Sequence, residues 1–224
     1  MPKIVVSEDA RKLGVFISYT EVMNIVVRPT EGELEEEMKR IEEKYKHINP
    51  ESLKEDPVVR AYRDFYWKIN IDPTKTRPSG EALRRRISRN GKLPRINNVV
   101  DIGNLVSADT LVPIGIYDES RFKYPITLRL SNGTENFYGI GKKEPEKVAP
   151  NIPILVDSEG IVMHIYPHRD SQLTNVIETT KDVLIVGAGV LGVNNDLVKE
   201  ATKRVAELLV KYANGKWNEE VSIL

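Results

Sequence analysis

A short segment near residue 170 combines side chains that could take part in chemistry. It contains His168, Arg169, Asp170 and Ser171, and Thr180 follows nine residues later. An imidazole, a guanidinium, a carboxylate and hydroxyl groups together could bind an α-amino group and an α-carboxyl or ester group. A salt-bridged surface turn explains the same residues equally well, and the sequence alone leaves both interpretations open.

A second group of candidate residues is a set of arginines on a predicted helix. The helix is expected to begin at Pro78-Ser79 and to end at Asn90-Gly91, with Leu83 and Ile87 on its inner face. We therefore expect four arginines to point mostly outward: Arg84, Arg85, Arg86 and Arg89. A guanidinium matches phosphate and carboxylate oxygens well. The alternative is a solvated helix face with partners four residues away.

Polar and apolar residues are closely mixed after this helix. The polar members are Asn97, Asn98, Asp101, Asn104 and Ser107. Polar groups near a core must be hydrogen-bonded or they reduce stability. Most of them are expected to tie loops to a sheet, and the other interpretation is that they form a pocket wall. The segment that follows, 111–118, is predicted to be a strand.

The composition excludes several kinds of site. The chain has no cysteine, which rules out disulfides, a cysteine nucleophile and thiolate metal sites. His164 and His168 are four residues apart, but Pro167 and the strand-like pattern prevent a pair of helical metal ligands. We therefore expect no metal and no other cofactor.

Three glycines, Gly187, Gly189 and Gly192, match the G-x-G-x-x-G pattern of dinucleotide-binding proteins. That pattern should open a helix directly, but residues 193–196 come before the next predicted helix. Too few residues remain for the rest of a nucleotide-binding fold. A glycine-rich strand against a close neighbour explains the pattern better.

Charge is unevenly distributed in a chain whose formal net charge is zero. Residues 31–56 contain ten acidic and five basic residues, whereas residues 60–95 contain three acidic and eleven basic ones. The second segment is basic enough to bind a nucleic-acid backbone, unless the acidic helix packs beside it and cancels its charge. No apolar run is long enough to span a bilayer, so no membrane partner is expected. The absence of cysteine suits a cytoplasmic protein.

Apolar periodicity predicts further helices. One begins with a capping box of Thr30 and Glu33 and buries four residues on one face: Leu34, Met38, Ile41 and Tyr45. Another begins at Asp56-Pro57 and has an aromatic-rich inner face. The last begins near Asn195 and ends at Asn214-Gly215.

Strands are predicted within 13–27 and at 126–130, 154–157, 161–166 and 183–186, with a possible edge strand at 221–224. Ser131-Asn132-Gly133 is a turn signal and predicts a hairpin between 126–130 and 136–139. The loop 141–153 is the one candidate boundary.

Several motifs occur in an order that is typical of one family. They are Pro78 to Leu83 with Arg86, Leu93-Pro94 with Ile96-Asn97, Val99-Val100-Asp101 with Asn104, and Pro113 to Asp118. Together they resemble the B3/B4 domain, the editing module of the phenylalanyl-tRNA synthetase beta subunit, which also occurs as free-standing proteins. Arg169-Asp170-Ser171 with Thr180 resembles the closing motif of the free-standing members. The resemblance covers about residues 50–190.

The resemblance implies an α+β fold, with a layered sheet-on-sheet core and helices packed on one side. The chain would form a single B3/B4-like domain over 1–224, with two intermeshed halves at about 1–140 and 150–224.

The resemblance also implies a function, hydrolysis of an amino-acid ester from a mischarged tRNA in trans, with no cofactor. The acceptor end of the tRNA would be the partner. Arginines would bind its phosphates: Arg77, Arg84, Arg85, Arg86 and Arg89. Other residues would line the aminoacyl pocket: Asn98, Asp101, Asn104, Arg169 and Thr180. Asp170 and His168 would be catalytic.

This chain departs from the synthetase pattern at two places. Gly115 stands where the synthetase domain has a histidine of its editing pocket, and the pocket glutamate has no clear counterpart. His168 is expected to supply the imidazole instead. The alternative function is a non-catalytic module that binds RNA or an amino-acid-like ligand.

Overall fold

Two β-sheets with helices packed against them make up the computed structural model, which describes residues 3–224. The first sheet has the order β1 (Ile4–Val6), β4 (Ile126–Leu130), β7 (Pro153–Val156), β8 (Val162–Ile165), β9 (Arg169–Asp170). The second has the order β11 (Ser222–Ile223), β2 (Phe16–Val22), β10 (Val183–Gly189), β3 (Ile114–Asp118). β5 (Asn136–Phe137) and β6 (Glu146–Lys147) form a separate pair. The pairing of β1 with β4 is parallel, and the other described pairings are antiparallel.

The α-helices are α1 (Glu8–Lys12), α2 (Gly32–Tyr45), α3 (Pro57–Lys68), α4 (Ser79–Asn90), α5 (Asn98–Thr110) and α6 (Asn195–Ala213). Helix α6 packs on strands β2 and β10, and α5 packs on α6 and on β3. One apolar core includes residues of both sheets and of the helices. The predicted α+β class with layered sheets is confirmed. Within residues 3–224, no helix has the length and apolar character needed to cross a membrane.

The predicted inner face of α2 is confirmed, but its predicted capping box is wrong. Leu34, Met38, Ile41 and Tyr45 are all buried. Glu31 stands at the N-cap position without a side-chain hydrogen bond. The Thr30 hydroxyl instead donates to the Asp101 carboxylate, 2.6 Å away, because the chain before α2 turns toward α5.

The predicted ends of α3 and α6 agree closely with the structure. Asp56 accepts hydrogen bonds from the backbone N–H groups of Val58 and Val59 at the start of α3. Asn194 accepts from the N–H of Asp196 and caps α6, which begins at Asn195 in agreement with the prediction. Asn214 ends α6 in the left-handed conformation.

The predicted strands are found, but the predicted hairpin after β4 is wrong. Strand β4 pairs with β1 and β7, so both of its edges are occupied by distant segments. The N–H of Ser131 donates to the carbonyl of Ile152 at 2.8 Å, which directs the chain along the start of β7. Strand β5 pairs with β6 instead.

The glycines of β10 permit close packing, as the sequence predicts. A side chain at Gly189 would overlap the ring of Phe16, and one at Gly187 would overlap the Thr202 hydroxyl of α6. Both glycines lie on the same face of β10, which is therefore closely covered there, and the whole strand is buried. Helix α6 begins only at Asn195.

A buried carboxylate joins α3 to α4. Glu81 is 1% exposed and accepts two hydrogen bonds from Arg63, at 2.6 and 2.9 Å. The Nε of Arg85 donates to the same carboxylate at 2.8 Å. The two guanidinium groups satisfy an anion that would otherwise be strongly destabilised by loss of water. This cluster fixes the position of α4.

Replacement of the buried anion tests this interpretation. Glu81→Gln leaves Arg63 without its counterion and Arg85 with only the exposed Glu51, so we expect a loss of about 3–5 kcal/mol in the free energy of unfolding. Urea unfolding monitored by circular dichroism measures the change. Glu36→Gln makes the same chemical change in an exposed pair with Lys39 and serves as the control with little expected effect. Equal effects of the two substitutions would contradict the structural role of Glu81.

Candidate active site

A pocket of about 390 Å3 lies where the second half of the first sheet meets α4, α5 and β3. We call it the central pocket. Its polar lining residues are Arg77, Ser79, Arg86, Asn104, Ser107, Tyr117, His164, His168 and Asp170. Gly115 and aliphatic residues complete the wall. The pocket therefore brings basic, acidic, imidazole and hydroxyl groups together in one place.

Three side chains from the two sheets meet at one carboxylate oxygen in the central pocket. The Oδ1 atom of Asp170 lies 2.8 Å from Nδ1 of His164 and 2.9 Å from the hydroxyl of Tyr117. A carboxylate only accepts hydrogen bonds, so Nδ1 of His164 carries the hydrogen of this bond, and in the neutral tautomer with that hydrogen the lone pair is on Nε2. Burial and the charge of Asp170 raise the pKa of Tyr117 well above its usual value, which keeps its hydroxyl a donor.

Backbone geometry brings these three residues together. His164 and Asp170 are directly paired across β8 and β9. Tyr117 comes from β3 of the other sheet, where its ring folds back over Gly115. A side chain at Gly115 would overlap the Tyr117 hydroxyl. Glycine at this position therefore allows Tyr117 to reach Asp170.

His168 lies in the loop between β8 and β9, and its surroundings differ from those of His164. Its Nδ1 atom is buried and has no hydrogen-bond partner among residues 3–224. Its ring packs beside Tyr66, with the ring centres 5.4 Å apart. Burial, assisted by His164 and Arg169, lowers the pKa of His168 to about 3, so its ring is neutral near pH 7.

Two further groups of the central pocket are buried without a hydrogen-bond partner in the described part of the chain. They are the hydroxyl of Ser107 and the Nε atom of Arg77, which lies 4.0 Å from the Glu81 carboxylate. An unsatisfied buried polar group reduces stability, typically by about 1–3 kcal/mol. Such groups on a pocket wall indicate that a polar molecule completes their hydrogen bonds.

A cleft of about 500 Å3 continues from the central pocket along α4. We call it the basic cleft, and its cationic lining residues are Lys75, Arg77, Arg85, Arg86 and Arg89. Arg77 and Arg86 line both cavities. Arg86 is exposed and has no ion-pair partner within 4 Å in residues 3–224. The cleft is a positively charged approach to the pocket.

The acidic segment neutralises only part of this positive charge. Arg95 is held by Glu35 and Glu42 of α2, at 2.8 and 2.6 Å. Glu51 pairs with Arg85 at 2.9 Å and lies 3.7 Å from Arg89. The alternative that the acidic helix cancels the charge of the basic segment therefore holds for Arg95. Glu51 offsets part of the charge of the basic cleft, and Arg86 has no ion-pair partner within residues 3–224.

The prediction that all four arginines of α4 point outward is wrong for Arg84 and Arg85, which are 7% and 4% exposed. Arg84 donates to the carbonyl groups of Ala108 and Asp109, which lie in the last turn of α5 and have no partner within the helix. Arg85 belongs to the Glu81 cluster described above. Both guanidiniums are therefore engaged in holding α4 in place, and Arg77, Arg86 and Arg89 remain as candidates for phosphate contacts.

Three residues predicted to bind substrate do not line the central pocket, and their side chains are hydrogen-bonded to neighbouring segments. Asn98 bonds to the backbone of Val26, Arg28 and Tyr212. Asp101 accepts from Thr30 and from the N–H of Ile96. Thr180 donates to Asp118 at 2.5 Å. Their hydrogen-bonding capacity is used by neighbouring segments, which explains why polar residues occupy these buried positions.

Arg169 also differs from its predicted role. Its guanidinium pairs with Glu146 of β6 and lies over the ring of Phe137, directed to the β5–β6 pair rather than to the central pocket. Asn104, Asp170 and His168 do line the pocket, in agreement with their selection as candidates. Their roles stay predictions.

His164 and Tyr117 are the residues of this site that sequence reasoning missed. His164 is a histidine in a strand whose other described members, Val162, Met163 and Ile165, are apolar and buried. That isolated polar residue was the available signal. Its pairing with Asp170 depends on the register of β8 and β9, which local sequence does not specify.

The described residues suggest no competing metal centre or reactive pocket. In residues 3–224, no group of three His, Cys, Asp or Glu side chains could hold a metal ion. A groove of about 470 Å3 beside α3 involves Phe65 and Leu191, but none of the buried unpartnered atoms described above lines it.

Comparisons with known proteins agree on one family. A family model described as the B3/4 domain matches residues 61–214. The phenylalanine–tRNA ligase beta subunit of Nitrobacter winogradskyi is 30% identical over 114 residues, which are 51% of this chain and 14% of that protein. The corresponding subunit of Pyrococcus abyssi is 35% identical over 94 residues, or 33% of this chain and 17% of that protein.

A solved structure has a similar fold. It is an N-terminal fragment of the phenylalanyl-tRNA synthetase beta subunit from Pyrococcus horikoshii, with a TM-score of 0.52 and 17% identity. The similarity covers 99% of this chain and 53% of that fragment. The chain thus spans about half of the solved fragment and less than a fifth of the curated relatives named above.

The state of His168 makes stability depend on pH. The unfolded chain binds a proton as the pH falls through about 6.5, whereas folded His168 stays neutral down to about 3. His168 therefore causes no loss of stability above about pH 6.5, and the free energy of unfolding declines as the pH falls from there toward 3. We expect the urea midpoint of His168→Gln to fall less steeply over this range than that of the unmodified protein. His47→Gln, at an exposed site, should follow the unmodified protein, and parallel curves for all three would contradict the buried neutral state.

Proposed function

Because this chain belongs to the B3/4 domain family, we propose that it is an aminoacyl-tRNA deacylase that acts in trans. It would hydrolyse the ester bond between an amino acid and the 3′-terminal ribose of a mischarged tRNA. The matched relatives are named as beta subunits of phenylalanine–tRNA ligase, and this relationship supports tRNA as the partner of this chain. The substrate would place the reaction in the cytoplasm, where tRNAs are charged.

One observation carries this proposal: the basic cleft leads directly into a pocket that contains a His–Asp–Tyr cluster. Arg77 and Arg86 line both cavities, so a phosphate bound to them would lie at the entrance of the central pocket. Guanidinium groups bind phosphates strongly and independently of base sequence. The end of a nucleic-acid strand could thus be held while its terminal ester reaches Asp170 and His164.

His164 is the group best suited to activate water. Asp170 holds Nδ1–H, so Nε2 of His164 can accept a proton. In the proposed step, a water oxygen attacks the ester carbonyl carbon as His164 takes one of its protons. The tetrahedral intermediate then breaks its bond to the ribose oxygen, and His164 returns the proton to that oxygen. The products are the free amino acid and a tRNA with a free hydroxyl group.

The remaining pocket groups have complementary roles in this proposal. The unpartnered hydroxyl of Ser107 and the Nε–H of Arg77 are donors that could stabilise the oxyanion. The Oδ2 atom of Asp170 could accept a hydrogen bond from the α-ammonium group, since both described bonds use Oδ1. The neutral ring of His168 would contact the substrate through a hydrogen bond rather than through a charge.

A non-catalytic module that binds RNA or an amino-acid-like ligand is the second candidate. It is favoured by Gly115, which supplies no side chain at a position that the resemblance associates with a pocket histidine. The His–Asp–Tyr cluster favours the deacylase, because simple binding would not need an imidazole whose free nitrogen is a base.

Ester hydrolysis on a panel of correctly and wrongly charged tRNAs tests the proposed chemistry. We expect one class of charged tRNA to be cleaved, and kcat to fall about 10²–10⁴-fold in His164→Ala because the general base is lost. Asp170→Asn should also lower kcat, since the asparagine no longer provides a carboxylate to orient the ring. The release of labelled amino acid at pH 7 measures both.

The matched control is His47→Ala, which removes an exposed histidine far from this cluster in sequence. It should leave kcat unchanged. Absence of cleavage for every charged tRNA would refute the deacylase, and cleavage that persists in His164→Ala would refute the role of this residue.

The basic cleft gives a separate prediction about binding. Arg86→Ala combined with Arg89→Ala should weaken tRNA binding and lower the slope of log Kd against log salt by about 1–2, because two phosphate contacts are lost. Filter binding at several salt concentrations measures the slope.

Arg40→Ala is the control for this experiment. Arg40 is an exposed arginine of α2 that pairs with Glu37 and is not part of the basic cleft. An unchanged slope in the double variant would show that tRNA does not contact the cleft.

A further inference from the structure

A second cavity adjoins the central pocket, and none of its lining residues belongs to α4. It has a volume of about 150 Å3 and lies beside α5 and β3. We call it the apolar cleft because its lining is mainly aliphatic, formed by Ile96, Val100, Ile114, Ile116, Ile140 and Val176.

The rim of the apolar cleft contains apolar side chains that the core does not bury. Ile96 is 62% exposed and Ile140 is 56% exposed. A single exposed isoleucine needs no explanation, but two around one cleft form a local apolar surface of the kind that binds ligands. The cleft is thus open to a guest.

The apolar cleft is continuous with the proposed reaction site. Asn104, Ile114 and Asp170 line both cavities. In an aminoacyl ester the side chain is attached to the carbon between the ester and the amino group. A substrate that places these two groups beside Asp170 therefore has its side chain within reach of the apolar cleft.

We infer that the apolar cleft receives the side chain of the aminoacyl ester and that the preferred substrate carries an apolar side chain no larger than a phenyl or leucyl group. This inference rests on the proposed function. The size limit follows from the volume, since a dry cavity of about 150 Å3 lined by aliphatic and aromatic residues accommodates benzene.

Two oxygen atoms that line the cleft already have partners, so they do not favour a hydroxylated side chain. The Oδ1 atom of Asp170 accepts from His164 and Tyr117, and Oδ1 of Asn175 accepts from Arg121 at 2.7 Å. A hydroxyl placed among isoleucines would lose its bonds to water. Because apolar pockets reject added hydroxyls only moderately, we expect phenylalanyl esters to be preferred over tyrosyl esters by about 10–100-fold in kcat/KM.

Gly103 sets the width of the apolar cleft. It lies on the face of α5 that meets β3, and a Cβ atom there would lie 3.0 Å from Cδ1 of Ile116 and 3.8 Å from Cγ2 of Ile114. Both isoleucines line the cleft. One added methyl group at this position therefore reduces the space for a guest and pushes Ile116 aside.

The test measures kcat/KM for phenylalanyl, leucyl, tyrosyl and alanyl esters of one tRNA. With the unmodified protein, the two large apolar esters should exceed the alanyl ester by at least about 10-fold. Gly103→Ala should reduce hydrolysis of these two esters about 10-fold and leave the alanyl ester within about twofold. Val210→Ile adds a methyl group to an exposed position of α6 and should change none of them. Ile116→Ala widens the cleft and should raise the relative rate of a tryptophanyl ester.

The outcomes separate this inference from the proposed function. Hydrolysis that does not depend on the side chain, or that Gly103→Ala lowers equally for all esters, would overturn the inference and leave the deacylase intact. If no ester is cleaved, the deacylase proposal is refuted. The inference about the apolar cleft is then tested by measuring the binding of 3′-aminoacylamino-3′-deoxyadenosine analogues. Affinity that depends on an apolar side chain and weakens in Gly103→Ala supports the cleft, and equal or undetectable affinity overturns it.

Discussion

The buried carboxylate of Glu81 is the interaction on which the surface chemistry of this protein depends. Two guanidinium groups, those of Arg63 and Arg85, are held inside the protein to satisfy it. Because the anion is desolvated, removal of either cation would leave it with only part of its compensation. These bonds direct Glu81 and Arg85 inward, and Arg86 and Arg89 of the same helix are exposed. Glu81 does not line the basic cleft, but by positioning α4 it helps to determine which arginines do.

The central pocket depends on a second constraint, the contact between the two sheets. Tyr117 can reach Asp170 only because Gly115 has no side chain, and Asp170 lies beside His164 only in the observed register of β8 and β9. Tyr166 reinforces this contact by donating to the carbonyl groups of Phe16 and Gly189 in the other sheet. The pocket is thus built on paired strands, which hold side chains more rigidly than loops do.

Sequence periodicity predicts the helices whose apolar residues recur on one face. It does not predict which polar side chains are buried. The inner faces of α2, α3 and α6 followed from periodicity alone. Periodicity assigns charged residues to the surface, so it could not show that Arg84 completes the last turn of α5 or that Asp101 binds Thr30. The partner of β4 could not be read from a turn signal, because a distant strand competes for the same edge. The missed pairing of His164 with Asp170 has the same non-local cause.

The polar residues selected from the sequence differ in whether neighbouring segments use their polar atoms. Asn98 and Asp101 looked like pocket residues, yet neighbouring backbone and side chains use their polar atoms. His168, Ser107 and Arg77 each have a buried polar atom without a partner, and all three line the central pocket. A folded protein tolerates such a local cost only when other contacts compensate for it or when a ligand removes it. Because these unsatisfied groups line the same pocket as an imidazole held by a carboxylate, a polar ligand that completes their bonds would enter the cavity that contains His164 and Asp170.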